Sequence, residues 1–120
     1  MESVIGEKSF AFAIRIVKAS KIIKEEKREY ELASQLLRSG TSIGANVSEA
    51  KYAQSDKDFV SKHKIALKEA NEVKYWLRLL MAVEMIDEKA ALSLLDDVEE
   101  LIRILTALIN TKERKMIQKS

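Results

Sequence analysis

Apolar residues recur along this chain every three to four positions in four long blocks, the period of amphipathic α-helices. The first block runs from about Ser3 to Lys27. Ile5, Phe12, Ile16, Ala19 and Ile23 share one face. Phe10, Ala13, Ile14 and Val17 form a second stripe, which turns basic further along through Lys21, Lys24 and Arg28. The second block runs from about Glu29 to Ala53, with Ala33, Leu36, Leu37, Gly40, Ile43, Gly44, Val47 and Ala50 on a common face. The third runs from about Asp56 to Glu84. Its main stripe is Phe59, Ala66, Ala70, Val73, Leu77 and Leu80, and a second flank carries Ile65, Trp76, Leu79 and Val83 with Glu69 and Glu72 among them. The fourth starts after Asp87 and reaches about Lys115, with one stripe from Ala91 through Leu94, Leu95, Val98, Leu101, Ile102, Leu105, Leu108 and Ile109. Ser55 with Asp58 resembles a capping box, and Asp87 suits an N-cap.

Four helices with short connections predict an all-α, up-down-up-down four-helix bundle. An outer helix of a monomer needs only one apolar stripe. Helix 4 fits that rule and belongs on the outside of any assembly. Helices 1 and 3 carry more apolar surface than one core requires, which predicts a homo-oligomer. Gly40 and Gly44 lie one turn apart on the core face of helix 2. Each costs about 1 kcal/mol relative to Ala inside a helix. Close approach of a neighbouring backbone would offset that cost; a break at Ser39-Gly40 is the alternative.

Composition narrows the picture further. A chain of 120 residues fits one domain, here residues 1–120. With no Pro and only three Gly, it lacks the turn chemistry of an all-β fold. The absence of Cys removes disulfides, thiolate nucleophiles and Cys-based zinc sites. The N-terminal MESVIGEKSF carries no signal-peptide pattern, and no apolar run is long enough to span a membrane. A soluble, cytoplasmic protein is therefore expected. The net charge of +2 hides an uneven distribution: residues 8–28 carry +5, residues 84–100 carry −6 and residues 112–119 carry +3. Oriented association or an anionic partner would explain this, and so would ordinary solvated helix faces.

The residues that catalysis would need are largely absent from the sequence. His63 is the only histidine, position 60 is Val where a di-iron bundle would place Glu, and no nucleotide-binding fingerprint occurs. No enzyme activity, metal or cofactor is expected. Two constellations remain. On helix 2, Arg38, Ser42, Asn46 and Glu49 form a polar row that either pairs across a subunit contact with Glu69 or Glu72 or is simply solvated. On helix 3, Lys57, Lys64, Lys68, Asn71, Tyr75 and Arg78 share the face opposite the core. Lysines so spaced can follow a phosphate backbone, and Tyr75 can stack on an unpaired base. A charged exterior face is the plainer reading.

The run RSGTSIGANVSEA at residues 38–50, followed by DFVSKHKIALKEANEVKYWLRLL at residues 58–80, resembles the four-helix bundle proteins encoded in intervening sequences of bacterial 23S rRNA genes. The matching residues include Arg38, Ser39, Ser42, Asn46, Glu49, Phe59, Ala66, Leu67, Glu69, Ala70, Glu72, Trp76 and Leu77. The resemblance implies a left-handed bundle assembled as a ring-like homopentamer, with a role tied to nucleic acid or the ribosome. It also implies similarity to accessory proteins of diversity-generating retroelements, which bind nucleic acid and a reverse transcriptase. Arg38, Asn46, Glu49, Glu69, Glu72 and Trp76 then become candidates for the subunit interface. Lys57, Lys64, Lys68, Tyr75 and Arg78 become candidates for binding RNA or DNA, because a ring would repeat their face around the assembly; the basic tail at Lys112, Arg114, Lys115 and Lys119 is the competing site. The alternative function is a protein–protein adaptor with incidental basic surfaces.

Overall fold

The computed structural model describes residues 3–119. They form α1 (Val4–Ile22), α2 (Glu31–Lys51), α3 (Asp56–Ala82) and α4 (Glu88–Lys119), with no strand among the described residues. Three of the starts are set by side-chain acceptors. Ser3 Oγ accepts from Gly6 N, Ser55 Oγ from Asp58 N (both 3.0 Å) and Asp87 Oδ2 from Ala90 N (3.1 Å), satisfying amides that have no partner within their helix. The Glu29 carboxylate does the same for the amides of Glu31 and Leu32. Accordingly α2 begins two residues later than its periodicity suggested.

The first helix differs most from expectation. It leaves α geometry at Ile22, continues as a π-helical segment over Ile23–Lys27, and stops at Arg28 in the left-handed conformation (φ 53°). Ile23 stays buried through the change. α3 closes at Ala82, where Glu84 is left-handed (φ 58°) and Met85 N donates to Leu80 O at 2.8 Å. That six-to-one bond satisfies a terminal carbonyl as in a Schellman motif. α4 continues four residues past Lys115, to Lys119.

Side-chain contacts fix the order and direction of the helices. Ile16 on α1 lies against Gly40 on α2, and Ser9 lies against Gly44. Arg38 and Glu49 on α2 reach Glu69 and Lys62 on α3. Lys64 and Lys74 on α3 reach Glu113 and Glu99 on α4. Lys8 and Arg15 on α1 reach Glu100 and Asp97 on α4. In each pair one number rises as the other falls, so successive helices run antiparallel. The α1–α4 contact is the thinnest of the four seams. The resulting body measures 53 × 23 × 21 Å.

The core is the set of main stripes read from the sequence. Ile16, Leu36, Ile43, Val73, Leu77, Leu80, Val98, Leu101 and Leu105 are all essentially inaccessible. Each such side chain contributes roughly 1.5–3 kcal/mol of burial. α2 runs unbroken through Ser39-Gly40. A Cβ added at Gly40 would sit 2.6 Å from Ile16 Cγ2, so the glycine permits close helix approach and marks no bend. Phe59 departs from expectation. It is only half-buried, and Val60 and His63 take the inward positions at the start of α3. The cause is its location at the end of the bundle, where the Phe59 ring covers His63 (centroids 4.3 Å apart) and Lys112 Nζ lies 4.9 Å above it.

The second stripe of α1 is exposed in the isolated chain: Phe10, Ile14 and Val17 are 68%, 44% and 49% accessible. On the second flank of α3, Ile65 and Val83 are exposed and Trp76 and Leu79 are half-buried. No helix among the described residues is long and apolar enough to cross a membrane.

Candidate nucleic-acid interface

Helical geometry alone aligns the outer row of α3. Lys57, Lys64, Lys68, Tyr75 and Arg78 follow one another at intervals of seven, four, seven and three residues, and all are exposed. From Lys57 to Arg78 the row extends about 30 Å. The inward residues that hold it there are Ala66, Ala70, Val73 and Leu77, all fully buried. Lys57, Lys68 and Arg78 make no ion pair among the described residues, whereas Lys64 Nζ is 3.0 Å from Glu113 Oε2 on α4. Asn71 donates to Leu67 O within its own helix (3.1 Å). Tyr75 is 60% accessible and meets the Trp76 ring edge-on. The row thus presents three free cations, one paired cation and an aromatic face.

The candidate interface residues lie along the α2–α3 seam. Arg38 forks between Glu69 (Nη1 to Oε2, 3.1 Å) and Glu72, and Trp76 Nε1 donates to Glu72 Oε1 (3.2 Å). Glu69 is nearly buried, so the guanidinium supplies the opposite charge that a buried carboxylate needs. These four residues therefore pair inside one chain. Asn46 Nδ2 donates to Ser42 O and Ser42 Oγ to Arg38 O, so the polar row of α2 ties back to its own backbone. Glu49 meets Lys62 more loosely, at 3.8 Å.

Periodicity did not reveal the opposite side of α2. An open groove of about 780 Å³ lies between α1 and α2, lined by Gly6, Ser9, Phe10, Ala13, Gly44, Ala45, Ser48 and Tyr52, among others, with His63 at its end. Small residues facing one another across the seam leave it open, a cue present in the sequence as Gly6, Ser9 and Ala13 against Gly44, Ala45 and Ser48. His63 is buried, and burial holds its imidazole below the ordinary value of 6.5, partly countered by its bond to the backbone. Nδ1 lies 2.9 Å from Phe59 O, which requires that nitrogen to carry the proton and donate. No group of three or more metal-ligating side chains occurs among the described residues.

A family model for 23S rRNA-intervening sequence proteins matches residues 1–107. Among solved structures, the chain is similar to a protein of unknown function from the S23 ribosomal protein family of Bacteroides thetaiotaomicron. The two are 47% identical with a TM-score of 0.87, over 88% of this chain and 98% of the other. No curated protein matches the chain. The family match spans α1 to α3 and most of α4, and the solved relative carries the same four-helix arrangement over nearly its whole length. The chain belongs to the 23S rRNA-intervening sequence protein family.

Proposed function

We propose that this protein is a non-enzymatic, cytoplasmic, ring-like homopentamer of left-handed bundles that binds RNA or other nucleic acid through the outer face of α3. The observation that carries the reading is the exposed row Lys57, Lys64, Lys68, Tyr75 and Arg78 on one helical face. Cations at such spacing release counterions from a phosphate backbone, and an exposed Tyr adds a stacking surface. Oligomerisation is supported by the apolar stripe Phe10, Ile14 and Val17, which a lone chain leaves in water. Arg38, Glu69, Glu72 and Trp76 would enter the subunit contact as a prefolded cluster, with Asn46 and Glu49 beside it.

Fluorescence anisotropy with an unstructured RNA at two salt concentrations tests the nucleic-acid reading. Replacing Lys64 and Lys68 with Glu should weaken binding while light scattering still reports an assembly of five chains. A clean monomer of 13.6 kDa would remove the ring. Wild-type protein without salt-sensitive binding at micromolar concentration would remove the nucleic-acid role. The second reading, a protein–protein adaptor like the retroelement accessory proteins, is favoured by the open α1–α2 groove. It would take over in that event.

A further inference from the structure

The antiparallel register of α3 and α4 places a second row of charge beside the first. Lys64 bonds Glu113 and Lys74 bonds Glu99 across the seam, at 3.0 and 2.5 Å. These two contacts set the level of every other residue on the two helices. Arg103 lies one turn beyond Glu99 and falls opposite Asn71; Arg114 follows Glu113 and falls opposite Ser61. Both arginines are exposed, and neither makes an ion pair among the described residues. Asn110, also exposed, lies between them. Glu99 and Glu113 share that flank of α4, and Lys74 and Lys64 neutralise them.

We infer that Arg103 and Arg114 are further binding residues for single-stranded nucleic acid, which lies along the lower part of the α3–α4 groove, from the level of Lys57 to that of Tyr75. The inference rests on the nucleic-acid reading above and sharpens it. Packed helices are separated by roughly 8–10 Å, so Lys57, Lys64 and Lys68 form one bank and Arg103 and Arg114 the other. A single phosphate backbone between them meets cations on both sides. Arginine suits this position because its planar fork can bond two oxygens of one phosphate. Tyr75 stands at the upper limit of the footprint, where a base can leave the backbone and stack.

The test is the salt dependence of oligouridine affinity for full-length protein carrying Arg103→Ala or Arg114→Ala. Both positions are exposed, so the variants should fold, which circular dichroism verifies. Losing Arg103 or Arg114 should flatten the slope of log affinity against log salt by roughly 0.7 each. Arg103→Lys, which keeps the charge, should keep the slope. If Lys64→Glu with Lys68→Glu weakens binding but Arg103→Ala and Arg114→Ala leave the slope intact, α4 takes no part and this inference is overturned alone. Tighter binding of duplex than of oligouridine overturns the single-strand assignment. An absence of salt-sensitive binding by wild type overturns the α3 reading and this one together.

Discussion

Replacing Gly40 with Ala should destabilise the protein, although a helix interior ordinarily gains from that change. Helix propensity favours Ala by about 1 kcal/mol. Packing opposes it. The new Cβ would lie 2.6 Å from Ile16 Cγ2 and 2.8 Å from Cγ1, whereas carbon atoms in contact rest at roughly 3.5–4.0 Å. Relief requires a shift of about 1 Å. Ile16 cannot provide it by rotating, because a β-branched side chain in a helix has one strongly preferred rotamer. The side chain is also fully buried, with the rest of the core behind it. Overpacking of this kind costs about 1–3 kcal/mol. The net expectation for Gly40→Ala is a loss of roughly 0–2 kcal/mol, and for Gly40→Leu a larger loss. A double-mutant cycle isolates the contact. Ile16→Ala alone should cost about 2–5 kcal/mol through the cavity it leaves. Combined with Gly40→Ala it should cost less than the two changes separately, with a coupling of about 1 kcal/mol or more. Urea denaturation at one fixed protein concentration measures all four species. Gly40→Ala stabilised by the full propensity gain, or a coupling near zero, would refute the close-contact argument.

Other perturbations test other parts of the molecule. Because burial lowers the pKa of His63 in the folded state, the unfolded chain binds the proton more tightly. Stability should thus be full above about pH 6.5 and fall as pH drops through and below that value. Thermal melts from pH 8 to pH 5 should show this component shrink in His63→Gln; an identical pH profile in that variant would exclude His63 as its source. Arg38→Ala should cost about 1–2 kcal/mol, because it leaves the nearly buried Glu69 without its partner while the half-exposed guanidinium is partly screened. Arg38→Lys should recover only part of the loss, since a single ammonium nitrogen must serve both carboxylates where the guanidinium offers each its own nitrogen; full recovery in denaturation would contradict the fork. The Ser20 hydroxyl is buried without a hydrogen-bond partner among the described residues, so Ser20→Ala should be neutral or stabilising by up to about 1 kcal/mol in the same assay. A clear loss of stability would show that the hydroxyl is satisfied.

The sequence by itself determined the four helices, most of their ends and the identity of the core stripes. Those features depend on near-neighbour periodicity and on acceptors placed beside free amides. Ser55 and Asp87 cap α3 and α4 because their side chains reach amides three residues on, a relation written within a few letters of sequence. The tight contact at Gly40 was legible too, since two costly residues one turn apart call for a neighbour, but that neighbour is the Ile16 side chain and not a backbone, and at Gly44 a Cβ would reach only ordinary contact with Ser9 O (3.4 Å). Tertiary structure alone decided which charges meet. Arg38 is equally able to face solvent or a second subunit until α2 and α3 take their register and bring Glu69 and Glu72 beneath it. Lys64 reads like Lys57 and Lys68 along α3, yet the level of α4 pairs it with Glu113 and leaves the other two free. The exchange of Phe59 for Val60 and His63 at the mouth of the core has the same origin. Periodicity states which face of a helix is apolar, but not how far along its axis the neighbouring helices extend to cover it.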